Sequence, residues 1–329
     1  MTNQKRIPYF DFLRGIAIIM VVGIHTFNVE SANVASIPLR TLISCAVPLF
    51  ITLSAYFVSQ KEFHNGDFFK WFINQSKKIY IPMLLWSIPY LLISIHDKTY
   101  SFRFTIFYYL LGGFSIYYFI TFIIQGYLFL PLLKKVQIMG GVIFVNLLWI
   151  TIFVYLQNIR GYIFPLLYSC SPFPMWMMFF YLGIRIAQSN RLYNTRKYIY
   201  GAIIAYVIAI YATYWYVTNY GTGYGIKPST HIMSAFIITL LFSRNIERWV
   251  NKHFESTPFY LLICKIGKDS FGIYLTHYFV IRYMMPYLNI SDWWIVSWIV
   301  VLFLTWGWCL LIKIILPMNI SKYLGVFYR

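Results

Sequence analysis

Arg14 and His25 lie eleven residues apart on one apolar stretch that runs from Asp11-Phe12-Leu13-Arg14-Gly15 to Val22-Gly23-Ile24-His25. On an α-helix, eleven steps of about 100° return to within roughly 20° of the starting direction, with a rise of about 16 Å. The spacing therefore predicts two ionisable side chains on one face of one helix. A guanidinium is always charged and offers a rigid fork of donors. An imidazole titrates near neutral pH. In its neutral form it can take a proton from a hydroxyl as a general base, or attack an acyl carbon as a nucleophile. An ionisable group deep in a membrane helix is costly and by default marks a functional site. Asp11, three residues before Arg14, has the spacing of a helical ion pair. Gly15 and Gly23 leave room for a second helix or a ligand. Taken singly, His25 also fits a packing histidine bonded to neighbouring backbone, and Arg14 fits a side chain that snorkels to an interface. Their shared face favours the chemical reading.

The surrounding composition says what must position these groups. The chain has 329 residues, 60% hydrophobic and only 11% charged, where a soluble globule carries about 25% charged residues. Apolar runs long enough to span a bilayer recur from end to end, so the fold class is all-α: a polytopic membrane protein. Many of the 30 Tyr, 30 Phe and 11 Trp belong at membrane interfaces. The formal charge of +18 is spread over short loops and reads as topogenic charge with attraction for anionic lipid. No nucleic-acid recognition module is visible, which excludes that partner class. Cys45, Cys170, Cys264 and Cys309 lack metal-ligand spacing and are expected as buried free thiols, with no metal site. The first apolar stretch has no small-x-small cleavage site and reads as a retained helix.

Ten spans are expected, at Phe10–Val29, Ile37–Val58, Ile79–Ile95, Ile116–Leu133, Gly140–Leu156, Phe173–Gln188, Tyr198–Val217, Pro228–Phe242, Ser270–Tyr287 and Trp293–Leu316. The eighth is short. Phe104–Gly113 is apolar but too short to cross, and suits an interfacial or re-entrant piece. With the N-terminus in the cytoplasm, twenty of the 27 Lys and Arg fall on the inner side and six on the outer, Arg14 being unassigned. That asymmetry sets the orientation, and an even number of spans puts both termini inside. No loop has room for a folded soluble domain, so residues 1–329 read as a single membrane domain.

Several stretches together resemble the acyltransferase-3 family of integral membrane acyltransferases. The opening Asp11-Phe12-Leu13-Arg14-Gly15, with His25 after it, is similar to the start of that family. Val47-Pro48-Leu49-Phe50 and Ser54-Ala55-Tyr56-Phe57 resemble its second span, with Ala55 where Gly is usual. Lys77-Lys78-Ile79-Tyr80-Ile81-Pro82 resembles the basic run and Pro before the third span, with Lys for the more usual Arg. Tyr117-Tyr118-Phe119, Gln125-Gly126-Tyr127 and Pro131-Leu132-Leu133 match its middle helix. Ser270-Phe271-Gly272-Ile273-Tyr274-Leu275-Thr276-His277 matches a Ser-x-Gly-Ile-Tyr-Leu-x-His pattern. The resemblance runs from residue 9 to about 317, in order.

The resemblance implies transfer of an acyl group, often acetyl, from cytoplasmic acyl-coenzyme A to a hydroxyl of a cell-envelope saccharide or lipid-linked glycan. It implies a multi-pass protein of the cell membrane, most commonly the bacterial cytoplasmic membrane. On that reading His25 sits at the reacting centre, as general base or as acyl-histidine nucleophile. Arg14 lies near the pantetheine or phosphate end of the donor, with Asp11 as its counter-ion. The separation of about 16 Å is comparable with the reach of an extended pantetheine arm. Ser54, Tyr56 and Tyr118 can donate to an oxyanion or to sugar hydroxyls, though each also suits helix packing. His277 suits either a second polar site or a packing hydrogen bond. Lys77, Lys78, Arg191, Arg196 and Lys197 can grip phosphates. Two other readings compete: a transporter or flippase for a glycan intermediate, against which no inverted repeat is visible, and a non-catalytic partner in a glycan-assembly complex.

Overall fold

The computed structural model describes residues 7–29, 34–63, 66–114, 116–189, 191, 195–288, 290 and 293–327. Lys5, Arg6 and Arg329, counted above for orientation, lie outside them. The described chain is a helical bundle. Its helices are α1 (Pro8–His25), α2 (Ile37–Ile43), α3 (Ala46–Ser59), α4 (Asp67–His96), α5 (Phe102–Leu110), α6 (Tyr118–Lys135), α7 (Met139–Val154) and α8 (Leu166–Cys170). There follow α9 (Met177–Gln188), α10 (Thr195–Tyr220), α11 (Pro228–Leu241), α12 (Arg244–Phe254), α13 (Pro258–Lys268), α14 (Ser270–Tyr283), α15 (Trp294–Ile315) and α16 (Met318–Ser321).

Each expected span holds a helix, but the helices differ in kind. Among the described residues six segments are long and apolar enough to cross a membrane: Pro8–His25, Val34–Ser59, Asp67–His96, Met139–Ile159, Thr195–Tyr220 and Trp294–Ile315. By contrast α9, α11 and α14 have 12, 14 and 14 residues, only about 18–21 Å of helix. Their apolar character comes from burial inside the bundle as much as from lipid: Phe179, Phe180, Ile184, Met233, Ile273 and Leu275 are fully enclosed, as a helix apolar on all sides requires. The long α10 shows the opposite pattern, with Ile203, Ile204, Val207, Ile208 and Tyr211 exposed along one side. The expected second span is two helices, α2 and α3, broken at Ser44–Cys45. The first ends at His25 rather than Val29, so His25 is the last residue of α1. The short piece expected at Phe104–Gly113 is α5, nine residues long.

At the centre of the bundle, α1 packs against α2, α3, α13, α14 and α15. It contributes Tyr9, Phe10, Leu13 and Ala17 to one apolar cluster and Ile18, Val21 and Val22 to the other. Small residues make the close approaches possible. A Cβ on Gly15 would collide with the Ile263 carbonyl of α13, and one on Gly267 of α13 would collide with the Asp11 carbonyl. Gly23 is covered by the Trp298 indole of α15. All four cysteines are buried free thiols.

Candidate functional site

The two ends of α1 are held by different partners, and each end faces its own cavity. Near its start, Arg14 Nη1 donates to Asp11 Oδ1 at 3.0 Å, and the guanidinium lies 4.8 Å from the centre of the Phe57 ring. Asp11 is buried and Arg14 is part-exposed. At the far end, the indole of Trp294 donates to the Gly23 carbonyl at 2.9 Å and that of Trp298 to the Ile19 carbonyl at 2.6 Å. Thr26 caps the helix, its backbone N–H and Oγ1 both donating to the Val22 carbonyl at 3.0 Å. The last turn of a helix leaves carbonyls without intrahelical partners. Here the Gly23 carbonyl is satisfied by the Trp294 indole and the Val22 carbonyl by Thr26, which anchors the turn that carries His25.

At the Arg14 end is a cavity of about 300 Å³. Arg14, Ser54, Gln75, Lys78, Tyr127, Lys268 and Ser270 supply its polar lining, and Phe50, Phe119 and Tyr274 part of its apolar wall. Ser54 Oγ and the Tyr127 hydroxyl share a hydrogen bond at 3.3 Å. The α13–α14 junction that carries Lys268 and Ser270 is anchored by buried Asp269. Its carboxylate pairs with Lys313 and accepts from the Trp306 indole. Beside this cavity is a basic groove of about 650 Å³, lined by Lys77, Lys78, Asn319, Lys322, Tyr323 and Phe327 among others. Lys78 and Phe327 line both spaces, so the groove and the cavity adjoin.

At the His25 end is a second cavity, of about 330 Å³. His25 lines it together with Arg40, Tyr118, Gln157, Trp176 and His231. The His277 ring is 5.4 Å from that of His25, and the Tyr278 ring is 5.9 Å away and edge-on. His277 Nδ1 is 3.0 Å from the Ile273 carbonyl. A carbonyl only accepts, so Nδ1 carries a proton. The buried Nε2 has no hydrogen-bond partner.

The cavities stand back to back. From α3, Phe50 faces one and Val47 the other; from α6, Phe119 faces one and Tyr118 the other. Adjacent residues of α6 thus line the two cavities, and α6 forms part of the wall between them. The Phe119 and Tyr274 rings meet there at 5.5 Å.

Of the residues singled out from sequence, Arg14, Ser54 and Lys78 line the Arg14-side cavity, with Lys77 in the adjoining groove. His25 and Tyr118 line the other cavity. His277 backs His25, and Asp11 backs Arg14. Tyr56 lines neither space: its ring packs against Phe10, Phe57 and Phe242. Arg191 is bonded to Glu247 at 2.6 Å and to the Phe242 carbonyl at 2.8 Å. Sequence reading passed over Arg40, Trp176, His231, Lys268 and Lys322. The rule that drew attention to His25, an ionisable residue in an apolar helix, applies equally to His231 of α11.

A family model described as an acyltransferase domain, Acyl_transf_3, matches residues 7–314. No curated protein and no solved structure matches the chain.

Proposed function

The chain belongs to the acyltransferase-3 family and is a membrane acyltransferase; from that premise we propose that it moves an acyl group from cytoplasmic acyl-coenzyme A, bound at the Arg14 end, to a hydroxyl of a cell-envelope saccharide met at the His25 end. The observation that carries this reading is the pair of back-to-back cavities with Arg14 and His25 of the same helix in opposite ones. A donor with an anionic nucleotide end and a thin, nearly neutral arm suits the Arg14 side. Lys77, Lys78 and Lys322 offer ammonium groups for phosphates, Tyr323 offers a ring for a base, and the narrower adjoining cavity suits the arm.

His25 takes the proton from the acceptor hydroxyl as the oxygen attacks the acyl carbon. Tyr118 donates to the oxyanion that forms. The imidazolium of His25 then returns its proton to the departing sulfur, so the cycle closes with the enzyme unchanged. An acyl-histidine route uses the same residue with two transfers in place of one. In either route Arg14 orients the donor, and Asp11 and Phe57 hold its guanidinium in place.

The test is mass spectrometry of envelope glycans from cells carrying wild-type protein, His25→Ala or no protein. The acyl mass increment is expected only with wild type, with His25→Ala at equal membrane abundance behaving as the null. Activity within about threefold of wild type in His25→Ala would rule out a base or nucleophile role, since such assistance is worth about 10²- to 10⁴-fold. If the purified protein binds a glycan but not coenzyme A, the transporter reading replaces this one.

A further inference from the structure

The His25-side cavity has a charge that the reaction does not use. Arg40, on α2, is only 7% exposed yet lines the cavity. Its Nη1 donates to Ser44 Oγ at 3.0 Å, and its guanidinium lies 5.5 Å from the Phe27 ring centre. Its buried Nε has no hydrogen-bond partner, although a guanidinium has five N–H donors to satisfy. Among the described residues no aspartate or glutamate lines the cavity, and Arg40 makes no ion pair. His231, 2% exposed, also lines the space, and its Nε2 likewise lacks a partner. Its ring stacks on Trp176 at 5.1 Å.

Nearby Lys227 is a useful contrast. It is fully buried, but its ammonium donates to the Gly223 carbonyl at 2.6 Å and to the Gly225 carbonyl at 3.4 Å. It braces the backbone of the rim. A buried cation without a counter-ion is expensive to maintain, and an anion entering the cavity that it lines would offset that cost. Arginine presents the planar fork that carboxylate and phosphate accept in pairs.

We propose that the His25-side cavity selects a substrate bearing a carboxylate or phosphate, which Arg40 grips while His231 hydrogen-bonds the same molecule. This rests on the reading of that cavity as the acceptor side, and it narrows the substrate to an anionic one: an acidic or phosphorylated saccharide, or an acyl group with a free carboxylate.

The test uses the full-length protein in detergent at matched ionic strength. Thermal protection is measured with glucuronic acid, glucose 1-phosphate and glucose, and separately with acetyl- and succinyl-coenzyme A. The anionic sugars are expected to raise the melting temperature where glucose does not. Arg40→Gln is expected to lose that difference and Arg40→Lys to keep part of it, with protection by acetyl-coenzyme A unchanged in both. That last measurement also shows that the variants are folded. If succinyl-coenzyme A alone shows the Arg40 dependence, the anion belongs to the acyl group. Equal protection by glucose and the anionic sugars, together with equal response to both thioesters, overturns the proposal. So does an undiminished anion preference in Arg40→Gln. Glu30 lies outside the described residues; if Glu30→Gln reproduces the loss seen in Arg40→Gln, Arg40 serves as a structural ion-pair partner and the proposal falls. Failure of the donor reading is distinct, since it appears as absence of any coenzyme protection while the sugar preference persists.

Discussion

At the scale of single residues, geometry separates side chains that sequence treats alike. Ser54 and Tyr56 are two positions apart in one motif, yet Ser54 faces a cavity and Tyr56 is closed in by Phe10, Phe57 and Phe242. Two steps on a helix turn about 200°, so both cannot face the same ligand. Tyr56→Phe is therefore expected to keep acyl transfer within about threefold of wild type in membranes, an effect too small for a lost catalytic proton transfer. Arg14→Lys is expected to lower kcat/KM at least tenfold, a loss of about 1.4 kcal/mol of transition-state stabilisation. Lysine keeps the charge but cannot at once present a planar face to Phe57 and a directed N–H to Asp11. Full activity in Arg14→Lys would reduce Arg14 to a generic cation. Arg14 and His25 were legible in sequence because one helix carries both and its period is known. Arg40 and His231 were not: they reach the His25-side cavity from α2 and α11, and no local spacing relates residues almost two hundred positions apart.

At the scale of elements, the apolar spans were legible and the short helices beside them were not. Hydropathy located a helix in every expected span because lipid and bundle interior select the same residue types. It could not separate the long spans from the short enclosed helices, for the same reason. The helices α12 and α13, eleven residues each, are too short to cross, and α12 with Arg244, Glu247, Arg248 and Lys252 is too charged to register as apolar. Yet α13 is a principal neighbour of α1 and carries Lys268 to the Arg14-side cavity. The contact between them depends on two glycines that let backbone meet backbone. Gly267→Ala would place a methyl on the Asp11 carbonyl, forcing apart the helices that hold Arg14. Overpacking of this kind costs about 1–3 kcal/mol. Gly267→Ala is expected to lower the melting temperature of purified protein and to reduce activity with it. Gly307→Ala, where a methyl meets nothing within 4 Å, is expected to be neutral or mildly stabilising. An unchanged melting temperature in Gly267→Ala would mean that α1 and α13 can separate without loss.

At the scale of the whole molecule, the arrangement answers a problem of access. On the proposed function, a coenzyme thioester and an envelope saccharide arrive from opposite sides of a membrane that neither crosses. On that proposal, one helix with a cation at one end and an imidazole at the other, each lining its own cavity, lets the acyl group alone make the passage. On the same proposal, the basic groove of Lys77, Lys78 and Lys322 is the docking place for the anionic end of the donor. Coenzyme A is expected to protect the purified protein against thermal unfolding. A ligand that binds only the folded state adds about 1.4 kcal/mol at ten times its dissociation constant. The protection is expected to fall in Lys78→Ala and Lys322→Ala and to weaken with added salt, because exposed charges are screened beyond about 8 Å at physiological ionic strength. His25→Ala, whose change lies across the wall from the groove, is expected to retain it. That contrast separates donor binding from chemistry. Loss of coenzyme protection in His25→Ala, with protection intact in both lysine variants, would place the donor in the His25-side cavity and reverse the assignment of the two ends.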